Sequence, residues 1–218
     1  MTLFKDRIDA GHRLAVTLKE RVQGHDILVL ALPRGGVPIG SVVAEALGAD
    51  LDVFLVRKLG VPWHQELAMG AISSGGMTVM NESILRTMNV SQAEIDSVID
   101  RERNELSRRE RLYRGDRPPP AISDRTIIVV DDGLATGSSM RAALQALRKQ
   151  EPGFLATAVP VGPADVCRQL AKEADEAICL FTPSPFEAVG RWFVQFEQTS
   201  DQEVQSYLHQ AWSQSDTD

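Results

Sequence analysis

The residues best suited to chemistry lie between Asp131 and Ser139. Two adjacent carboxylates, Asp131 and Asp132, directly follow the apolar run from Ile127 to Val130, and small and hydroxyl-bearing residues then lead into a helical pattern. Open α/β sheets bind ligands at the carboxyl ends of their strands, and the backbone N–H groups of a tight turn at a helix N-terminus attract an anion. The pattern has no Gly-Lys-Ser/Thr, which excludes a nucleoside-triphosphate P-loop. The segment therefore predicts a sugar-phosphate site, with the polyol on the two carboxylates and the phosphate on Thr136, Gly137, Ser138 and Ser139.

A second candidate anion loop is Leu32-Pro33-Arg34-Gly35-Gly36, which ends the apolar run that begins at Ile27. Gly35 and Gly36 permit a close approach of the backbone to an anion, and the guanidinium of Arg34 presents a fork of donors to a phosphate. On its own the segment also fits a turn that carries a surface arginine.

A basic pair, Arg57 and Lys58, follows the next strand-like run. Side chains alternate along a strand, so at most one of the two faces a given side. The segment 61–68 then forms a loop in our interpretation. Its His64 and Glu66 are candidates for contact with a metal or a phosphate, and a solvated His64 is the alternative.

The stretch from Ile127 to Ser139, with Asp131-Asp132 and then Thr136-Gly137-Ser138-Ser139, resembles the phosphoribosyl pyrophosphate signature of the type I phosphoribosyltransferases. The resemblance covers roughly residues 25–200. Within the family it is greatest to generic bacterial phosphoribosyltransferases whose acceptor is unsettled. It implies that the two aspartates address the ribose hydroxyls and that Ala135 to Ser139 surround the 5′-phosphate. An alternative interpretation is an acidic pair that only binds Mg²⁺, as in a receiver domain. That alternative gives the phosphate-binding turn no role.

The same resemblance assigns roles to the other two loops. It implies a pyrophosphate-binding loop at Arg34, Gly35 and Gly36, with an unusual, cis peptide near the Arg34–Gly35 bond. It also implies that Lys58 contacts pyrophosphate directly, that Arg57 supports it, and that residues 61–68 are a mobile loop that closes over the pyrophosphate.

Aromatic residues after the last strand-like run form a candidate hood over the acceptor. The segment runs from Pro183 to Phe196 and contains Phe186 and Trp192. In purine phosphoribosyltransferases the region after this strand stacks the base on an aromatic ring, although the spacing here differs by one residue. The resemblance makes Phe186 or Trp192 the base-stacking residue, with the alternative that both belong to the core of the hood.

The reaction implied by the resemblance is displacement of pyrophosphate from the anomeric carbon by a nitrogen heterocycle, through an oxocarbenium-like transition state. In such a reaction the protein mainly positions the reactants and neutralises the leaving group. Asp131 and Asp132 would stabilise the cationic sugar, and Arg34 and Lys58 would stabilise the pyrophosphate. Mg²⁺ is the expected cofactor, held by pyrophosphate, sugar hydroxyls and water, and by the two aspartates only indirectly.

Ala135 is a departure from the hypoxanthine-guanine enzymes, which carry at this position an Asp that is a candidate base. Either the acceptor needs no proton transfer from this loop, or another group such as Glu66 or Glu187 supplies it. Two rival functions stay open. One is a regulator or sensor that binds phosphoribosyl pyrophosphate without turnover, and the other is a hydrolase of phosphoribosyl compounds.

A parallel sheet is needed to bring these loops together. Strand-like runs alternate with helical patterns, which predicts an α/β fold, doubly wound, with a mostly parallel sheet flanked by helices and a small hood from the N- and C-terminal segments. We expect one phosphoribosyltransferase domain over residues 1–218, with its core at about 25–182 and its hood at about 1–24 and 183–212. The predicted strands are 27–32, 51–56, 126–130, 154–159 and 176–181, with shorter pieces near 68–73 and 77–80. The predicted helices are 3–22, 38–47, 91–114, 138–149 and 164–173.

The charge balance excludes some partners. The 218 residues include 23 Lys+Arg and 30 Asp+Glu, a net charge of −7, and no Lys or Arg follows Arg191. Wrapping of nucleic acid or binding to an anionic membrane needs clustered positive charge, so we expect neither. A small phosphorylated substrate stays compatible with the balance. The arginine-rich helix at 91–114 fits a solvated face with i,i+4 ion pairs. Its alternatives are a homodimer contact or one arginine that reaches a ligand.

The sequence also bears on location. No apolar run reaches the roughly 18–20 residues of a membrane span, and the segment 1–20 mixes charged residues into its apolar positions, unlike a signal peptide. Cys167 and Cys179 lack the spacing of metal ligands and fit two buried, unpaired cysteines. We therefore expect a cytoplasmic protein.

Overall fold

Short apolar segments of the chain form the strands of two sheets. The computed structural model describes residues 3–24 and 26–215. Within these ranges the strands are β1 (Ile27–Ala31), β2 (Asp50–Val53), β3 (Val56–Val61), β4 (His64–Ser73), β5 (Thr78–Met80), β6 (Thr126–Val130), β7 (Phe154–Val161) and β8 (Glu176–Phe181). The helices are α1 (Arg7–Arg21), α2 (Gly36–Leu47), α3 (Glu82–Met88), α4 (Gln92–Arg114), α5 (Ser138–Arg148), α6 (Ala164–Leu170) and α7 (Asp201–Ser215).

The main sheet has five parallel strands in the order β2-β1-β6-β7-β8. The order runs outward from β1 in both directions, which confirms the predicted doubly wound α/β fold. Strand β1 pairs with β6 so that Ala31 lies opposite Val130. Because the two strands are parallel and in register, the loop that follows β1 and the turn that follows β6 emerge side by side.

Both faces of the main sheet are buried, which explains its continuous apolar runs. In β6, Ile128 and Val130 pack on the side that carries α1, α2 and α7, and Ile127 and Val129 pack on the side that carries α5 and α6. All four are fully buried. Each such side chain contributes roughly 1.5–3 kcal/mol relative to an exposed one, so this strand is fixed firmly where its two aspartates begin.

The segment 61–68, predicted as a loop, is part of a β-hairpin in the structure. Strands β3, β4 and β5 form a separate antiparallel sheet, and β3 passes into β4 through a tight turn at Pro62 and Trp63. The prediction of a loop was wrong because Gly60 and Pro62 are residues typical of loops, whereas here Gly60 lies within β3 and Pro62 in the tight turn. Gly60 lies where the two strands cross so closely that a Cβ there would collide with the Gln65 backbone.

The predicted helices are confirmed with small shifts of their ends. Helix α1 begins at Arg7, since the side chain of Asp6 accepts a hydrogen bond from the N–H of Asp9 and caps it. Helix α4 begins with the predicted capping box of Ser91 and Glu94. None of the helices in the described ranges is both long and apolar enough to cross a membrane.

Helix α7 was not predicted. Its Val204, Leu208 and Trp212 are buried in the main core, and the indole N–H of Trp212 donates to the backbone oxygen of Leu51 at 2.9 Å. These residues recur every four positions, which is a helical spacing. The polar C-terminal composition concealed a pattern that the sequence contains.

The two cysteines, expected to be unpaired, form a disulfide between Cys167 of α6 and Cys179 of β8. Helix α6 runs back along β8, so residues twelve positions apart come within a Cα–Cα distance of 6.4 Å. This is a normal separation for a disulfide. The expectation was wrong because a helix followed by a strand was not interpreted as bringing the two residues face to face.

Candidate active site

Two loops meet at the carboxyl ends of β1 and β6. A Cβ on Gly35 would collide with the carboxylate of Asp132, and a Cβ on Gly36 would lie 2.7 Å from the backbone oxygen of Val130 and 3.0 Å from the Cα of Asp131. The close approach of the loops therefore requires glycine at both positions. The peptide bond between Pro33 and Arg34 is cis. The resemblance led us to expect such a bond one peptide further on, at Arg34–Gly35.

The turn after β6 offers donors to an anion. Gly137 precedes α5 in the left-handed conformation (φ 70°, ψ 5°), and no side chain caps this helix. The N–H of Ser138 makes a long contact of 3.4 Å with Thr136 Oγ1, and the following N–H groups of the first turn are available to a ligand. The hydroxyls of Thr136 and Ser138 lie 3.0 Å apart. Ala135, Thr136, Ser138 and Ser139 form the predicted phosphate-binding turn together with Gly137.

The two aspartates differ in their surroundings. Burial raises the pKa of Asp131 well above its ordinary value, and the neighbouring charge of Asp132 raises it further. Burial also raises the pKa of Asp132, although Arg7 opposes that shift. The backbone N–H of Asp132 donates to Asp131 Oδ1 at 2.8 Å. Asp131 therefore takes up a proton more readily than an ordinary aspartate, while Arg7 opposes protonation of Asp132.

Arg7 is the site residue that sequence reasoning missed. Its Nε and Nη2 donate to Asp132 Oδ2 at 2.9 and 2.8 Å, and its Nη1 donates to the backbone oxygen of Glu197 at 2.7 Å. The guanidinium also lies 3.9 Å from the ring centroid of Phe196. Arg7 thus joins the N-terminal helix, the C-terminal segment and the acidic pair. In the sequence it is one charged residue on an amphipathic helix, and no local pattern distinguishes it.

A small pocket of about 90 Å³ lies next to the acidic pair. It is lined by Asp131, Ser139, Pro33, Arg57 and Arg109, among others. Arg57 donates from Nε and Nη2 to the same Glu102 oxygen at 2.9 and 2.6 Å. Burial by itself raises the pKa of Glu102, but hydrogen bonds from Arg57 and Arg101 outweigh it and leave that pKa lowered. An ionised Glu102 therefore holds Arg57 at the pocket.

Lys58 has a different environment from Arg57. Its exposed Nζ lies 3.1 Å from an oxygen of Glu66, across the β3–β4 hairpin. Lys58 does not line the pocket beside Asp131, whereas Arg57 does. Arg57, expected to be the supporting residue, thus lies nearer the site than Lys58, which was expected to make the direct contact. His64 is exposed at the start of β4.

The side chain of Arg34 points away from the acidic pair. Its Nη1 lies 3.7 Å from Asp201 Oδ1, and it lines a separate cavity on the other side of Pro33. The backbone of Gly35 and Gly36 is therefore the part of the predicted pyrophosphate loop that the structure places beside the aspartates.

Both ends of the described chain meet at the segment predicted to form the hood. The N–H groups of Leu3 and Phe4 donate to the Trp192 backbone oxygen at 2.9 Å. The rings of Phe186 and Trp192 stack on one another with centroids 6.3 Å apart, and both are half-buried against the main core. Their mutual packing favours the alternative in which both belong to the hood core.

The aspartates form only a partial ligand set for a metal. Among the side chains that the structure describes, no group of three or more His, Cys, Asp or Glu residues is arranged to hold a metal ion. Two carboxylates beside a phosphate-binding turn fit a Mg²⁺ that keeps its waters and binds mainly through a phosphorylated substrate.

Comparison with known proteins identifies the family. Residues 4–203 match the phosphoribosyl transferase domain. Two curated Mycobacterium tuberculosis proteins, "Putative phosphoribosyl transferase MT0597" and "Putative phosphoribosyl transferase Rv0571c", are each 44% identical to 97% of this chain, which spans only 47% of their length. The crystal structure of TT1426 from Thermus thermophilus has a TM-score of 0.86 and 37% identity, and the match covers 96% of this chain and 99% of that one. The chain therefore belongs to the type I phosphoribosyltransferase family, as its signature indicated.

Proposed function

We propose that the protein transfers the phosphoribosyl group of phosphoribosyl pyrophosphate to a nitrogen-heterocycle acceptor and releases pyrophosphate. The observation that carries the proposal is the contact between the two loops, in which Gly35 abuts the Asp132 carboxylate. This contact sets a backbone anion loop, an acidic pair and a phosphate-binding turn around one point at the sheet edge. A sugar that carries a phosphate at one end and a diphosphate at the other matches that arrangement.

The residues at this point have distinct proposed roles. The turn from Ala135 to Ser139 binds the 5′-phosphate, and the backbone of Gly35 and Gly36 together with Arg57 binds the pyrophosphate. Asp131 and Asp132 orient the ribose hydroxyls and stabilise the positive charge that develops on the sugar as the bond to pyrophosphate breaks. Arg34 and Lys58 remain candidates for contact with the leaving group, although Arg34 faces Asp201 and Lys58 pairs with Glu66.

Mg²⁺ is the proposed cofactor. When bound, it would neutralise part of the charge on the pyrophosphate leaving group. Asp131 and Asp132 would hold it through water or through the ribose hydroxyls rather than as direct ligands, because Mg²⁺ usually keeps several of its waters when it binds.

The acceptor requires a separate argument. Ala135 supplies no proton acceptor, Glu66 is paired with Lys58, and Glu187 is paired with Arg191 at 2.9 Å. We infer that the acceptor nitrogen is nucleophilic without a general base from the loop at Ala135. Phe186 and Trp192 stay in the proposal as the aromatic residues of the hood that could stack a base.

The remaining parts of the proposal concern the whole molecule. We propose one phosphoribosyltransferase domain, with its core at about residues 25–182 and its hood at both ends, acting in the cytoplasm as a monomer or homodimer without nucleic acid or membrane partners. The disulfide between Cys167 and Cys179 allows a test of this location. The cytoplasm keeps most thiols reduced, so thiol labelling of the protein, quenched directly in cells, should find the two cysteines reduced there.

The decisive experiment measures pyrophosphate release from phosphoribosyl pyrophosphate and Mg²⁺ with a panel of purine, pyrimidine and other heterocyclic bases. Release that depends on one base supports the transferase and identifies the acceptor. Tight binding without turnover on any base would favour a regulator or sensor, and release that needs no base would indicate a hydrolase. The variant Thr136→Val serves as the control, since at subsaturating phosphoribosyl pyrophosphate it should release less pyrophosphate than the wild type with every base.

A further inference from the structure

A second cavity, of about 330 Å³, lies on the opposite side of Pro33 from the acidic pair. The loop after β1, helix α4 and the first residue of α7 enclose it. Almost all of its lining is charged or polar. The side chains that define it are Arg34, Arg108, Arg109, Tyr113 and Asp201.

The cavity has more positive than negative charge. Three guanidiniums, those of Arg34, Arg108 and Arg109, face two carboxylates, those of Glu105 and Asp201. Formal charges of +3 and −2 leave an excess of +1. Arg108 and Arg109 of α4 converge with Arg34, from the loop after β1, on one concave space.

The existing ion pairs do not use up the donors. Arg108 binds Glu105 through Nε and Nη2 at 2.8 and 3.0 Å, and Arg109 uses only its Nε, also on Glu105, at 2.8 Å. The two terminal nitrogens of Arg109 have no partner in the part of the chain that the structure describes. Arg34 is 3.7 Å from Asp201, which is beyond hydrogen-bonding distance.

Asp201 is already occupied by another donor. The hydroxyl of Tyr113 donates to Asp201 Oδ1 at 2.7 Å. Burial, followed by this hydrogen bond, raises the pKa of Tyr113 to about 12, so the hydroxyl stays protonated at physiological pH. Asp201 therefore neutralises the three arginines only in part, and their remaining donors point into an open space.

We propose that this cavity is a second anion site, which binds a phosphate or diphosphate group. Guanidinium forks match the geometry of phosphate oxygens and bind them in pairs of hydrogen bonds. The apolar lining is limited to Pro33 and Leu112, so recognition is of the charged group rather than of a base.

The cavity is connected to the candidate active site. Arg109 and Pro33 line both this cavity and the pocket beside Asp131. An anion held by Arg34 and Arg109 would therefore fix the loop whose glycines abut the acidic pair. This coupling to catalysis rests on the proposed function, whereas the binding of an anion does not.

The test uses calorimetric titration of the full chain with inorganic pyrophosphate, compared with the variant Arg108→Gln. Arg108 lines the second cavity but not the pocket beside Asp131, and its side chain is 61% exposed, so the variant is expected to fold. We expect at least a tenfold loss of affinity at one pyrophosphate site, in line with the loss of a charged hydrogen bond. A parallel titration with a nucleoside diphosphate distinguishes two sources of the anion. An affinity equal to that of pyrophosphate indicates a site that accepts a diphosphate carried by a larger molecule, and a weaker affinity indicates a site for the free anion.

The matched control is Arg103→Gln. Arg103 lies on the same helix, is 50% exposed and pairs with Asp100 three positions away, as Arg108 pairs with Glu105, but it lies outside the cavity. Equal affinities in the wild type and Arg108→Gln would overturn the proposal, and so would an equal loss in both variants, which would indicate general surface charge.

Failure of the proposed function gives a different result. If no acceptor and no turnover are found but the Arg108-dependent site binds pyrophosphate, the second anion site stands alone. If transfer occurs and Arg108→Gln binds pyrophosphate like the wild type, the transferase stands and the second site is refuted.

Discussion

The ion pair between Arg7 and Asp132 makes a quantitative prediction about stability. In the variant Arg7→Met, the apolar stem is kept beside Phe196. Two hydrogen bonds to Asp132 Oδ2, of 2.9 and 2.8 Å, and one of 2.7 Å to the Glu197 backbone oxygen are lost. The two side chains are only 11% and 17% exposed. Removing one partner of a buried pair costs about 3–5 kcal/mol, because the other charge stays buried. Since both side chains retain some contact with solvent, we expect a cost at the lower end, about 3 kcal/mol.

Urea unfolding of Arg7→Met and the wild type measures this difference in the free energy of unfolding. For a chain of this length about 3 kcal/mol corresponds to a melting temperature lower by about 6–12 °C. The matched control is Arg13→Met on the same helix, where Arg13 pairs with Asp9 and is 48% exposed. An exposed pair contributes less than about 1 kcal/mol. If Arg7→Met is no less stable than Arg13→Met, the interpretation of Asp132 as a buried charge that needs Arg7 is refuted.

Three further predictions concern the site, a buried tyrosine and the disulfide. Asp132→Asn and Thr136→Val should each weaken binding of phosphoribosyl pyrophosphate by about 1 kcal/mol or more in calorimetry, the value of one lost charged hydrogen bond, and unchanged affinity in both would remove the site assignment. Burial raises the pKa of Tyr113 to about 12, so the stability that its neutral form provides should be lost as the pH rises from about 10, the ordinary tyrosine value, to about 12. Tyr113→Phe should lose less stability over that range, and absorbance titration should assign the upper transition to Tyr113. Reduction of the disulfide that closes twelve residues should lower the free energy of unfolding by about 3 kcal/mol, and a reductant should not affect the Cys167→Ala/Cys179→Ala double variant.

Local patterns made most of the fold predictable. Three features depend only on neighbours within a few positions. They are the apolar run that ends at Val130, the glycines that follow β1 and the capping box of α4. A parallel sheet then requires the carboxyl ends of β1 and β6 to meet. For this reason the mostly parallel sheet and the loops at its edge were predicted together, whereas the order of the strands was not.

The parts that escaped prediction depend on contacts between distant residues. Arg7 and Asp132 are separated by 125 positions, and Arg34 turns toward Asp201, 167 positions later. No spacing within a helix or loop encodes such partners. The β3–β4 hairpin was missed for another reason, because Gly60 is typical of a loop yet here permits two strands to cross closely.

The carboxylate of Asp132 is divided between two tasks. Arg7 Nε and Nη2 bind Oδ2, and Oδ1 has no hydrogen-bond partner within the described residues. One oxygen therefore belongs to the scaffold and the other is open to a ligand. An amide at this position would satisfy Arg7 but offer the ligand a donor instead of an acceptor, and a longer side chain would press on Gly35. In evolutionary terms positions 7, 35 and 132 form a unit, and we expect related chains that change one of them to change the others as well.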